Sequence, residues 1–194
     1  MKRVLLCVLV CLVLTGCEAV PFARELESTM LVQALGVDWT EDGVILTAAS
    51  DPGAGGGTAV LSASGPSLQA AKAALKGAGE EFVSLTHVAQ IVLGADSKHR
   101  AILEAALAEP ALGQGATVWL TAGGTAKWLL ESVNEGAKRL SSIELNSGVE
   151  PVTVLQVLME LEETGSAVLP VLTAEEDTLL WKGVREFGGG QDGK

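Results

Sequence analysis

Tyrosine is absent from this chain of 194 residues, which has only three phenylalanines and four tryptophans. Any core it builds must therefore be aliphatic. Histidine occurs twice, as His87 and His99, and the three cysteines, Cys7, Cys11 and Cys17, all stand near the N-terminus. Once a leader is removed, no Cys/His zinc cluster can be assembled and no two cysteines remain to pair. Cations are scarce as well: 13 Lys and Arg stand against 24 Asp and Glu, a formal charge of −11. That balance excludes the electrostatic footprint of a nucleic-acid binder and direct adhesion to anionic lipid. One long apolar run exists, over residues 4–14. It is too short to cross a bilayer permanently, which takes about 20 apolar residues.

That run has the form of a signal peptide. Lys2 and Arg3 precede it as a positive n-region, and it ends in Leu14-Thr15-Gly16-Cys17, which resembles the bacterial lipobox. Small residues before the cysteine suit an extended segment in a peptidase cleft, and the thiol is the nucleophile that accepts a diacylglycerol. The expectation is a signal peptide over residues 1–16, lipidation (palmitate-type acylation) at Cys17, and a polar tether over residues 17–28. Two or three acyl chains suffice for stable anchoring. Cleavage also removes Lys2 and Arg3, making the mature chain more acidic still.

Residues 29–187 are expected to form a single α+β domain, a mixed β-sheet with packed helices, followed by a flexible tail over residues 188–194. Residues 30–37 read as a strand ending at Asp38. A turn at Glu41-Asp42-Gly43 joins it to a second strand over 44–50. The glycine-rich loop from Asp51 lacks the Lys-Ser/Thr of a phosphate-binding loop. Residues 58–64 form a third strand. Ser67 caps a helix with Leu68, Ala71, Ala74 and Leu75 on its apolar stripe. Residues 82–93 are strand-like, with a bend near Thr86-His87. Asp96 and Ser97 cap a helix through Leu103 to Pro110. In the strand over 116–122, Val118 and Leu120 share one face, and Thr117, Trp119 and Thr121 the other. A short helix covers 125–133. Pro151 is expected at position N1 of a helix reaching Gly165, and a last strand spans 178–186.

These stretches, in order, resemble the spore germinant receptor C-subunit family, the Ger(x)C lipoproteins. Arg24-Glu25-Leu26 followed by Leu35-Gly36-Val37-Asp38 is similar to that family's opening. The strand ending in Asp51-Pro52, the Ser67 helix and the segment Leu85-Thr86-His87-Val88 with its apolar strand to Gly94 follow in family order, as does Ala126-Lys127-Trp128-Leu129-Leu130-Glu131. Glu18-Ala19 stands where the family has a Trp-Asp-like pair. The resemblance implies a non-enzymatic lipoprotein of a nutrient germinant receptor in a Gram-positive spore former. It would sit on the outer face of the inner spore or cell membrane, bound to integral-membrane receptor subunits. It also implies the first domain only, with residues 164–194 standing where the family passes into its second domain. The alternative is a solute-binding or other cell-envelope lipoprotein without a role in germination.

No catalytic constellation, cofactor site or metal site is expected. His87, on an apolar run, is expected to be a core or strand-end residue bonded to backbone, and His99 a surface residue in the first turn of a helix. Glu160, Glu162, Glu163, Glu175, Glu176 and Asp177 lack the spacing of a calcium loop and are expected to be solvated. Trp119 and Trp128 are expected to pack.

Overall fold

The computed structural model describes residues 29–51, 59–79, 82–95, 103–104 and 114–188. Its organising element is a hairpin of β2 (Ala34–Thr40) and β3 (Gly43–Ser50), joined by a turn at Glu41-Asp42. Alternation along β2 sends Leu35 and Val37 to one side of the sheet, and Ala34, Gly36 and Asp38 to the other. β4 (Ala59–Gly65) continues antiparallel on β3. The strand expected over 30–37 is broken at Val32-Gln33. Val32 N–H donates to Ser84 O and Gln33 N–H to Ala49 O, so the chain changes partners between two sheets there. β1 (Thr29–Leu31) pairs in parallel with β5 (Phe82–Ser84) as a small separate sheet.

The remaining strands extend the large sheet from β2. In parallel order come β6 (Gln90–Leu93), β7 (Thr117–Thr121) and β8 (Ser166–Glu175). β9 (Thr178–Gly188) then closes the edge antiparallel to β8. Among the described residues the sheet has seven strands in the order β4-β3-β2-β6-β7-β8-β9. Parallel neighbours need crossovers, which the helices supply: α1 (Leu68–Gly77) before β5 and β6, and α2 (Ala126–Glu131), α3 (Gly136–Asn146) and α4 (Val154–Thr164) between β7 and β8. The fold is α+β, a mixed sheet with helices on both faces.

Each face has its own core. On the first, α1 and α4 set Ala71, Leu75, Val154, Val157 and Leu161 against Leu35, Val37, Leu46, Ile91, Val118, Leu120 and Leu169. Leu103, one of the two residues described from the helix expected after Asp96, is fully buried here. On the second, Leu129, Leu130, Ala137 and Leu140 of α2 and α3 lie over Ala34, Val92, Trp119 and Leu172. Each fully buried aliphatic side chain contributes about 1.5–3 kcal/mol.

Several expectations need correction. The last helix begins at Val154, not at Pro151. Thr153 is its N-cap, accepting from Gln156 N–H while Gln156 Oε1 accepts from Thr153 N–H. The residues just before it are extended, bridging Thr117 and accepting from Val118 N–H through Val152 O. Its buried stripe is Val154, Val157 and Leu161, leaving Leu155 and Met159 exposed. Gly165, at φ 77, ends the helix in the left-handed conformation. α3 and β8 were not foreseen. Residues 166–188 complete the same sheet through β8 and β9, and β9 covers the last strand expected over 178–186.

Candidate functional site

The second face of the sheet carries polar groups that the first does not. Trp119, fully buried, donates through Nε1 to Gln90 Oε1 at 2.6 Å. Gln90 Nε2 donates to Glu144 Oε2 at 2.6 Å, and Thr117 Oγ1 donates to Glu144 Oε1 at 3.0 Å. Both carboxylate oxygens of Glu144 are thus held by neutral donors from β6 and β7, which fixes the last turns of α3 on the sheet. At the end of β2, Asp38 accepts from Ala126 N–H at 2.6 Å and Lys127 N–H at 2.9 Å. Burial pushes its carboxyl above the usual range, while the Lys127 and Ala126 amides and the Lys127 charge pull it down. Gly36, on the same strand, lets α2 come close: a Cβ there would lie 2.9 Å from Leu130 Cδ1 and 3.2 Å from Ala126 Cβ.

Asp51, just past β3, has both carboxylate oxygens shut off from solvent, without a hydrogen bond of full geometry. They face the first turn of α3. Desolvation raises the pKa, and Glu135 adds to this, while the amides of Lys138 and Ala137 and the Lys138 charge oppose it. α3 itself starts from Glu135 in the left-handed conformation with no side-chain cap. The β8–β9 turn is anchored nearby: Asp177 accepts from Asn134 N–H at 2.6 Å and lies 3.5 Å from Arg139.

Beyond the reach of α2 and α3 the second face is open. β8 pairs with β7 only through Leu120–Val171 and Thr121–Leu172, and its first half pairs with β9 alone. Residues 148–152 fill part of that gap. Between them and the β8–β9 ribbon runs a groove of about 350 Å³, floored by Val168, Pro170, Trp181 and Val184. Trp181 is 45% exposed and Val184 64%. Among the described residues Glu150 and Glu160 line it, and no lysine or arginine does.

His87 is neither the core nor the strand-end residue expected. It is exposed, in the turn that separates β5 from β6, where the bend was foreseen. Trp119 packs as expected, but Trp128 is 47% exposed on the outer side of the six-residue α2. The acidic residues Glu160, Glu162, Glu163, Glu175, Glu176 and Asp177 are all exposed. Among the described residues, no three His, Cys, Asp or Glu side chains stand together to hold a metal. Cys17 and His99 lie outside the described residues. Asp38 and Gln90 could be found in the sequence only as polar interruptions of apolar strands. Their partners are too distant in the chain for any local signal.

The domain is thus a mixed sheet with helices anchored on both faces and an open groove on one. A family model for the spore germination protein N-terminal domain matches residues 23–174, and the chain belongs to that family. It therefore carries the N-terminal domain of a spore germination protein. No curated protein and no solved structure matches the chain.

Proposed function

We propose that the protein is a lipid-anchored, non-enzymatic subunit of a spore nutrient germinant receptor, acting through contacts with integral-membrane receptor subunits. The observation that carries the reading is the family match over residues 23–174, which begins just after Cys17. Order along the chain supports the topology: a positive n-region, an apolar run, Leu-Thr-Gly-Cys, a short polar stretch, then the folded domain. Among the described residues no helix is long and apolar enough to cross a membrane, so Cys17 is the attachment point in this reading. Residues 1–16 are then the leader and residues 17–28 the tether.

Two measurements test it. In a spore former, the wild-type chain should take up a palmitate analogue and sediment with membranes, and Cys17→Ser should do neither. A Ser variant that still labels would overturn the anchor. Deleting the gene should slow nutrient-triggered germination while leaving germination by a non-nutrient trigger intact. Unchanged nutrient germination would favour an envelope lipoprotein of another kind.

A further inference from the structure

The groove on the second face is built by an irregularity in β9. Opposite Val171 and Leu172 the pairing slips by one residue, so that Gly183 faces Val171 and Trp181 faces Leu172, with Lys182 extra between them. Gly183 has φ 112, a conformation open to glycine. The bulge reverses the alternation of β9. Leu179 is thereby turned into the second core, and Trp181 onto the same face, into the groove beside Val184. Lys182 is drawn away to Glu175 at 2.8 Å. The bulge thus presents an exposed indole, and its neighbour Lys182 is engaged elsewhere. Trp181 and Val184, two of the four residues that floor the groove, also lie beyond the family match, which ends at residue 174.

From this we infer that the groove docks a cationic, apolar segment of a partner protein, an extended stretch in which Lys or Arg alternates with large aliphatic or aromatic residues. Val168, Pro170, Val184 and the Trp181 ring receive the apolar side chains. Glu150 and Glu160 face the cations, and among the described residues that line the groove none carries a positive charge to oppose them. The indole adds cation–π attraction, and Trp is a residue type enriched among those that dominate binding at such surfaces. The net charge of −11 draws the same partner in from a distance. The inference rests on the groove alone and stands whether or not the chain is lipidated.

The test uses the full chain and three fluorescein-labelled heptapeptides: one alternating Lys/Arg with Leu/Phe, one with Glu replacing the cations, and one with Ser replacing Leu and Phe. The first should bind, and the other two at least about tenfold more weakly. Trp181→Ala should weaken it about tenfold, as should the pair Glu150→Lys with Glu160→Lys. Val184→Arg, at a position 64% exposed, should do the same with an unchanged thermal melt. Equal binding of the Ser-substituted peptide would reduce the effect to general charge attraction and overturn the proposal. Binding indifferent to Trp181→Ala and Val184→Arg would place the peptide elsewhere. Self-association in sedimentation that Val184→Arg abolishes would show the groove occupied by a second copy instead.

Discussion

The two faces of the sheet hold their helices by different means. On the first face, α1 and α4 are capped by their own side chains: Ser67 accepts from Ala70 N–H, and Thr153 and Gln156 form a reciprocal capping box. Their contact with the sheet is aliphatic. On the second face the sheet itself supplies the anchors. Asp38 reaches the first amides of α2, Asp51 faces those of α3, and Gln90 and Thr117 hold Glu144. α2 has its own cap in Thr125, but six residues are far too few for a helix to persist alone. α3 has no side-chain cap at all. A short or uncapped helix can be kept where a neighbouring strand offers it charge and hydrogen bonds. The cost is that buried polar groups must be matched one for one.

Neighbours on β7 give the sharpest way to break this comparison. Trp119 faces the network and Leu120 the aliphatic core. Trp119→Phe keeps a ring but leaves Gln90 Oε1 without its donor. It should cost about 1–3 kcal/mol for that orphaned acceptor, plus a smaller cavity effect. Leu120→Met should cost less than about 1.5 kcal/mol. Urea unfolding of the two variants measures the difference, and equal losses would mean that the polar network adds no constraint. Next in size is Asp38→Asn, which keeps one acceptor for two amides. A loss of about 1 kcal/mol, typical of an impaired helix N-terminus, is expected in the same assay.

The pH dependence sharpens the comparison further. Asp38 and Asp51 both have pKa values raised above the ordinary 3.8, chiefly by desolvation. The folded chain therefore holds these protons more tightly than the unfolded one. Their contribution is fully present below about pH 3.8 and is lost as pH rises through the folded-state values. Asp51→Asn cannot titrate, so it should be more stable than wild type at neutral pH, and the advantage should shrink as pH falls toward 3.8. Thermal melts at several pH values would test this, and a pH-independent difference would contradict it. The smallest effect belongs to His87, in an exposed turn. His87→Gln should change stability by no more than about 0.5 kcal/mol, against the larger loss that a buried strand histidine would have given.

Local signals carried most of the first face. Ser67 as a cap, the hairpin turn at Glu41-Asp42, the Val118/Leu120 alternation and Gly165 as a helix stop each depend on residues within a few positions, and each appears where the sequence placed it. The second face was far less legible. α3 opens with a left-handed Glu135 and a glycine and keeps only Ala137 and Leu140 as a buried stripe, a spacing too sparse to stand out. Pro170 sits in β8 where the β7 side is not paired, a place open to a residue without an N–H. Val152 and Leu155 suggested a helix starting at Pro151, while Thr153 and Gln156 held the actual boundary. The groove depends on a one-residue slip in β9 that no alternation pattern reveals.

The order of strands also sets the order in which the molecule can assemble. β2, β3 and β4 meet through contacts between successive strands, as do β8 and β9. The parallel seams join residues far apart in the chain: Leu35 with Ile91, and Leu120 with Val171. Hairpins form in microseconds, whereas distant parallel pairing must first close a long loop. Two hairpin units should therefore form early, at opposite ends of the domain, with β6 and β7 sealed between them last. During that interval the open edge of β7, with its run Val118-Trp119-Leu120, is the segment most exposed to mispairing with another chain.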